Sequence, residues 1–308
     1  MADIFLKTLP FFALIGLGYW AARRRYFSEE AAGALTRFVF FFALSAMLFN
    51  FAARLSLAEI FNGSFVMAYL AGSLSVYVLT SIVARLRGLP AAEGAVEAQV
   101  SVIGNTGFLG VPMLVMLLGP QATGPVLMVL AIDLIVFSSL ITIIITASRQ
   151  RISPRIFGSL AVGLLRNPMI VSMSLGLAWS ATGQPLPGPL DDFMSILGAA
   201  ATPGALFAIG ASLAFRSGER MEVAAWLSFA KLVLHPAAVA VAALLVFPVE
   251  RGAAGVMIAA AALPVAGNVY MLAQHYGVAP QRVSASILIS TAVSILTVSL
   301  VIAWVSTF

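Results

Sequence analysis

The stretch SVIGNTGFLGVPM, Ser101 to Met113, places an asparagine, three glycines and a proline in the middle of a long apolar segment. The 308-residue chain around it is 61% hydrophobic and only 9% charged, with a mean hydropathy of +1.03. That leaves too little polar surface to coat a water-soluble globule, so the solvent of this chain is the lipid bilayer. In hydrocarbon every unsatisfied backbone N–H or C=O is costly, and a broken helix survives only where protein or a water-filled cavity covers it. Gly104, Gly107 and Gly110 permit unusual dihedrals and Pro112 removes a donor, which predicts an interrupted membrane helix at this point.

A spanning helix needs about 20 predominantly apolar residues. Dividing the chain at its charges and turn residues gives about ten such segments, over 2–22, 31–51, 61–84, 92–118, 121–147, 156–180, 193–215, 222–247, 252–276 and 282–307. The first is expected to stay as a helix, because Asp3 and Lys7 at its start and the absence of a small-residue cleavage site do not fit a signal peptide. Arg23, Arg24 and Arg25 follow span one, Arg85 and Arg87 span three, Arg149, Arg151 and Arg155 span five, Arg216 and Arg220 span seven, and Arg282 span nine. The even loops hold little beyond Arg54, Arg251 and the acidic pair Asp191 and Asp192. The odd loops are therefore expected on the cytoplasmic side of a bacterial inner (plasma) membrane, with both termini on the other side. The basic pI near 10 is thus a topology signal, and no nucleic-acid partner is expected. With no cysteine and only His235 and His275, neither a disulfide framework, a metal site nor a cofactor is expected.

The two halves of the chain resemble each other at a shift of about 158 residues. ALSAMLFNFAARL from Ala43 matches ATPGALFAIGASL from Ala201, and Pro10/Pro168, Gly18/Gly176, Pro90/Pro248 and Gly119/Gly277 coincide. The expected fold is all-α and integral to the membrane. Residues 1–148 form one five-helix repeat, 149–155 a short cytoplasmic linker and 156–308 a second repeat. Five being odd, the second repeat enters the membrane inverted, which is the plan of many secondary transporters.

Span nine carries a counterpart of the opening stretch, LPVAGNVYMLAQHYG, with Pro264, Gly267 and Asn268. Two interrupted helices in matching positions of inverted halves would cross near the midplane, bringing half-helix N-termini together as a site for an anionic group. Asn105 and Asn268 would donate amide hydrogen bonds to a carboxylate. The competing reading is close helix packing by small residues, and the paired asparagines favour the site.

GNTGFLGVP, from Gly104 to Pro112, with its counterpart from Pro264 to Tyr270, resembles the crossover segments of the auxin efflux carrier family, which includes plant PIN proteins and bacterial malate and malonate permeases. ATPGALFAIG in span seven and Lys231 before Pro236 in span eight extend the resemblance along the chain. It implies a carrier of small organic anions such as carboxylates. Spans one, two, six and seven would be a scaffold, and spans three to five and eight to ten an elevator-like moving unit, with Asn105, Pro112, Pro264 and Asn268 as crossover residues. A homodimer through the scaffold is also implied. Ser45 stands where this family often has a proline, and the long hydrophilic loop of plant members is reduced to Ser148–Arg155.

Ionisable residues within spans are the remaining candidates, since charge in the bilayer is expensive. Asp133 lies deep in span five, Lys231 in span eight and Glu97 in span four. They read either as a coupling or charge-balancing set near the crossover, carrying a proton or balancing sodium, or as a structural ion pair that fixes helix registry. His235 reads as a packing residue with a satisfied hydrogen bond, and His275 as interfacial. Gly104, Gly107, Ser101 and Tyr270 complete the expected substrate site, with Gln99 on the approach and Asn50 a possible cavity residue. No catalytic motif is present, so an enzyme is not expected. Three classes of function remain: a carboxylate carrier, a sodium-coupled symporter of related architecture, and a non-transporting scaffold or receptor.

Overall fold

The computed structural model describes residues 2–55, 62–149, 155–215 and 221–308. Residue 61 of the expected third span, most of the expected 149–155 linker, and Arg151, Arg216 and Arg220 of the orientation argument lie outside the described residues. Among the described residues the chain is helical, with no strand beyond a single bridged residue pair.

Thirteen helices are seen among these residues: α1 (Ala2–Arg23), α2 (Glu29–Ala52), α3 (Gly63–Leu86), α4 (Ala91–Val102), α5 (Thr106–Leu118), α6 (Pro120–Arg149), α7 (Arg155–Arg166), α8 (Pro168–Ser180), α9 (Gly188–Leu213), α10 (Met221–Val246), α11 (Arg251–Ala261), α12 (Gly267–Tyr276) and α13 (Pro280–Val305). Several of their starts are capped by the chemistry expected of helix N-termini. Ser28 Oγ accepts from Ala31 N–H at 3.1 Å, Asn62 from Phe65 N–H at 3.1 Å, and the Glu250 carboxylate from Gly252 and Ala253 N–H at 2.9 and 2.8 Å.

Six of these helices, α2, α3, α6, α9, α10 and α13, are long and apolar enough to cross a membrane, and α7–α8 makes a seventh if that pair, bent by 76°, is one span. Large apolar side chains point outward from them, Leu165, Ile196 and Leu245 among them. Such a surface suits lipid and would be a liability in water.

Expected spans four and nine are each two shorter helices, α4/α5 and α11/α12, for a local reason. α4 stops because Ile103 turns extended (φ −83°, ψ 108°), and α5 begins after Asn105 (φ −74°, ψ 52°). α11 stops before Ala262–Ala266, and Ala266 (φ −75°, ψ 143°) precedes α12. The break in the first half is thus narrower than expected and centred on Gly104. Gly107, Gly110 and Pro112 lie within α5, past the break. Thr106–Gly110 is a widened, i→i+5 turn just before Pro112, where a proline ring would otherwise meet the carbonyl four residues back. The same device, Ala230–Leu234, precedes Pro236 in α10.

α1 packs on α9 and α8 on α2 by reciprocal close approaches. A Cβ on Gly18 would lie 2.1 Å from the Phe207 carbonyl oxygen, and one on Gly176 would lie 2.6 Å from that of Phe49. Gly18 and Gly176 are 158 residues apart in sequence, as are Phe49 and Phe207. Two further coincidences at that spacing also fall in matching places, whereas Pro10 lies inside α1 and Pro168 begins α8. Gly119 and Gly277 end α5 and α12 with positive φ of 92° and 65°, and Pro90 and Pro248 come just before α4 and α11.

Candidate functional site at the crossing of two broken helices

The two breaks hydrogen-bond to each other. Asn105 N–H donates to the Pro264 carbonyl at 2.8 Å and Ala266 N–H to the Ile103 carbonyl at 3.1 Å, closing an antiparallel bridge between Gly104 and Val265. Each break satisfies backbone groups that the other leaves open, the condition for irregular backbone in an apolar interior. Val265 N–H is taken by Ser290 Oγ of α13 at 3.1 Å, and the Asn105 carbonyl accepts from Leu109 and Gly110 N–H at 3.0 and 2.9 Å. Gly104 is needed for proximity: a Cβ there would lie 3.1 Å from the Ala260 carbonyl oxygen and 3.4 Å from Lys231 Nζ.

Four helix ends therefore meet at one place. The C-terminal ends of α4 and α11 carry partial negative charge, and the N-terminal ends of α5 and α12 partial positive charge with N–H groups lacking intrahelical partners. The fully buried ammonium of Lys231 donates to the Ala261 carbonyl at the end of α11.

A cavity of about 490 Å³ opens beside the crossing. Its wall takes Gly104, Asn105, Gly107, Gly267 and Asn268 from the two breaks, Asp133 and Ser138 from α6, Asn167 and Met169 from the α7–α8 bend, and Phe40 from α2. It extends to His275 and Tyr276 at the end of α12, where Arg149 Nη2 donates to the Tyr276 carbonyl at 2.5 Å. Asn105 is 6% exposed and its side chain makes no hydrogen bond within the protein, while the Asn268 amide oxygen is buried without a partner. A buried amide oxygen left unpaired costs about 1–3 kcal/mol, so Asn268 lacks a donor that a ligand can supply, and Asn105 lines the same cavity wall with its side chain uncommitted.

Asp133 stands on the same wall at 3% exposure. It accepts from Tyr69 Oη at 2.8 Å and, at 3.5 Å, from the hydroxyl of Thr106, the residue after Asn105. Behind it, Lys231 Nζ meets His235 Nδ1 at 3.2 Å, and Ser73 Oγ meets His235 Nε2 at 2.8 Å. Both ring nitrogens of His235 are thus engaged. Asp133 and Lys231 do not form an ion pair with each other among the described residues.

The whole sequence is similar to membrane transport proteins. The family profile described as membrane transport protein matches residues 3–302.

The chain belongs to that family, the auxin efflux carrier type that its sequence resembles.

A relative in Rhizobium meliloti (strain 1021) named "Putative malonate transporter" is 32% identical over 97% of this chain and 95% of its own. "Uncharacterized transporter YfdV" of Escherichia coli (strain K12) is 25% identical over 92% of this chain and 91% of its own. These relatives are named as transporters.

Several expected site residues lie away from the crossing. Glu97 does not join Asp133 and Lys231: it is fully buried between Arg87 Nη1 at 2.7 Å and Arg282 Nη1 at 2.6 Å, with Glu93 on Arg282 at 3.1 Å. A buried carboxylate near two guanidinium groups is drawn to them, and they sit at the end of α3 and the start of α13 rather than at the crossing. Ser101 is fully buried off the cavity, accepting from Thr80 Oγ1 at 3.0 Å and donating to the Ala98 carbonyl, which ties α4 to α3. Tyr270 lines a separate cavity of about 390 Å³ with Glu29, Gln274 and Pro280. Pro264 contributes its backbone carbonyl to the bridge, and Pro112 lies inside α5; neither faces the cavity. Gln99, 1% exposed with its amide oxygen unpartnered, lines neither cavity. Asn50 belongs to a polar bridge between α2 and α9, donating to Ser195 Oγ at 3.0 Å and accepting from Arg54 Nε at 2.7 Å. Ser45 donates to the Phe40 carbonyl at 3.2 Å across a widened turn of α2, which runs on as one helix from Glu29 to Ala52. Tyr69 and Thr106 are the contacts the sequence did not disclose: Thr106 sat inside the opening stretch unremarked, and nothing in α3 singles out Tyr69. Among the described residues no group of three His, Cys, Asp or Glu side chains comes together as a metal-binding set.

Proposed function

We propose that the protein is a secondary carrier of small organic anions, carboxylates first among them, binding its substrate at the crossing of the two broken helices. The observation that carries this reading is the pair of asparagines on one cavity wall beside the Gly104–Val265 bridge, Asn105 with no side-chain hydrogen bond and Asn268 with its amide oxygen unpartnered. One carboxylate there would accept from both side-chain amides and from N–H groups at the start of α12. The relative named for malonate supports a carboxylate cargo.

In this reading the chain crosses the membrane ten times, α4–α5, α7–α8 and α11–α12 each counting as one crossing and α1 as another. The reciprocal Gly18–Phe207 and Gly176–Phe49 contacts support two inverted halves, 1–148 and 156–308. α1, α2 and α7–α9 form the scaffold, and α3–α6 with α10–α13 the unit that moves past it as an elevator. The arginine distribution puts both termini on the non-cytoplasmic face of a bacterial inner membrane and opens the cavity, through its His275 end, to the cytoplasm. Asp133 is the carboxylate beside the site, reaching α5 through Thr106, and would balance a sodium ion if transport is sodium-coupled. A homodimer would form through the scaffold.

The test is carboxylate flux into liposomes, with and without sodium, for the wild type and for Asn105→Ala and Asn268→Ala. The expected result is flux that falls at least about tenfold in each variant while the thermal unfolding profile is kept. Flux unchanged in both variants moves the site away from the crossing; no flux with any acid leaves the non-transporting receptor as the better reading.

A further inference from the structure

The cavity at the crossing has an unusual charge for an anion site. Among the described residues its wall holds one carboxylate, Asp133, and no lysine or arginine. Lys231 lies behind the crossing, its ammonium committed to the Ala261 carbonyl and His235, and Arg149 is held at the mouth by the Tyr276 carbonyl. Most of the remaining wall is apolar, with Phe40, Phe108, Leu134 and Met271. One carboxylate finds neutral donors here in the asparagine amides. A second ionised carboxylate on the same small molecule would find no cation, and would share a poorly screened cavity with the Asp133 carboxylate. Asp133 instead has acceptor capacity to spare, because two carboxylate oxygens offer about four lone-pair sites and Tyr69 and Thr106 take two.

We infer that the site takes a singly charged acid carrying a hydrogen-bond donor beside its carboxylate, either a hydroxyl or a second carboxyl in its protonated form, with that donor facing Asp133, and that it rejects the dianion. The inference rests on the carrier reading above and names its substrate class. A dicarboxylate bound this way enters as the hydrogen dicarboxylate, so one proton travels with it as part of the substrate.

The experiment is calorimetric binding to the purified full chain of three probes: malonate, its monomethyl ester, and 3-hydroxypropanoate. Each is measured at pH values below and above the second ionisation of malonate. The titratable and charged groups facing Asp133 are Tyr69 of α3 and Lys231 and His235 of α10, with His275 and Tyr276 at the mouth. Titration of these groups, and of Asp133 itself, is followed with the hydroxy acid alone over the same pH range. The hydroxy acid does not ionise further in this range, so the ratio of malonate to hydroxy-acid affinity isolates the charge on the substrate.

The expected result is a ratio that falls about tenfold per pH unit above the second ionisation, following the monoanion fraction. The ester, which has lost the donor, should bind about tenfold more weakly than the hydroxy acid. Asp133→Asn should flatten the pH dependence of the ratio by admitting the dianion. A ratio independent of pH in the wild type, or an ester that binds as well as the hydroxy acid, overturns the inference and leaves the carrier standing. Absence of binding by any probe at any pH overturns the carrier reading itself, and this inference with it. The wild-type ratio decides the matter even if Asp133→Asn does not fold.

Discussion

At the scale of the residue, polar groups in this protein divide into those that have found a partner and those that have not. Glu97 belongs to the first kind. Buried with Arg282, which is 6% exposed, and reaching Arg87, it holds α4 to α13. Glu97→Ala should cost about 3–5 kcal/mol, because it leaves the Arg282 guanidinium buried with only Glu93 to face it. Thermal unfolding in detergent would show the loss, and acid affinity in the folded fraction should be unchanged. A loss of acid affinity without a loss of stability would return Glu97 to the substrate site. Asn105 and Asn268 are of the second kind, and they were legible in the sequence for a plain reason: an amide in an apolar span needs an explanation. Asp133 and Lys231 stood out likewise. Which of them touch was not legible, since the partners of Asp133, Tyr69 and Thr106, are ordinary residues whose relevance comes only from tertiary contact. Ser101 and Tyr270 went astray because a helix break resets the facing of every side chain beyond it, and sequence spacing does not carry across the reset.

At the scale of the element, the decisive feature is that each helix break repairs the other. Gly104 allows the approach, and the Asn105–Pro264 and Ala266–Ile103 hydrogen bonds fix it. The existence of two breaks was readable from glycine and proline placement, but their edges were not. Pro112 reads as a breaker in isolation, yet near the start of a helical segment, after a widened turn, it is well tolerated. Long uninterrupted segments were placed to within a few residues, as for α10, expected over 222–247 and found over Met221–Val246. The glycines outside the breaks serve packing. A Cβ on Gly210 would fall 1.8 Å from the Ile15 carbonyl oxygen, which is backbone and cannot rotate away. Gly210→Ala should therefore force α1 off α9 and destabilise the fold by about 1–3 kcal/mol or more, whereas Gly158→Ala, where nothing lies within 4 Å, should be neutral. Comparison of the two thermal unfolding midpoints checks this; equal midpoints would mean that the α1–α9 approach is looser than the structure has it.

At the scale of the whole molecule, the account requires two bodies that move past one another with the cavity between them. Phe40 of α2 and Phe108 of α5 stack across that boundary, ring centroids 6.3 Å apart, and the chain has no cysteine of its own. Phe40→Cys with Phe108→Cys, joined by a short thiol-reactive linker, should stop the flux that the same double variant shows before crosslinking. Flux that survives complete crosslinking would contradict an elevator. The 158-residue periodicity was visible in scattered glycines and prolines because those residues sit at close approaches and helix ends, places where substitution is least tolerated. The measurement that reaches the central claim most directly is a density map of the full chain loaded with 3-hydroxypropanoate. The account predicts density for the carboxylate between the Asn105 and Asn268 amides at the start of α12, with the hydroxyl turned to Asp133. Density confined to another cavity, such as the one beside Tyr270, with the crossing empty, would contradict it.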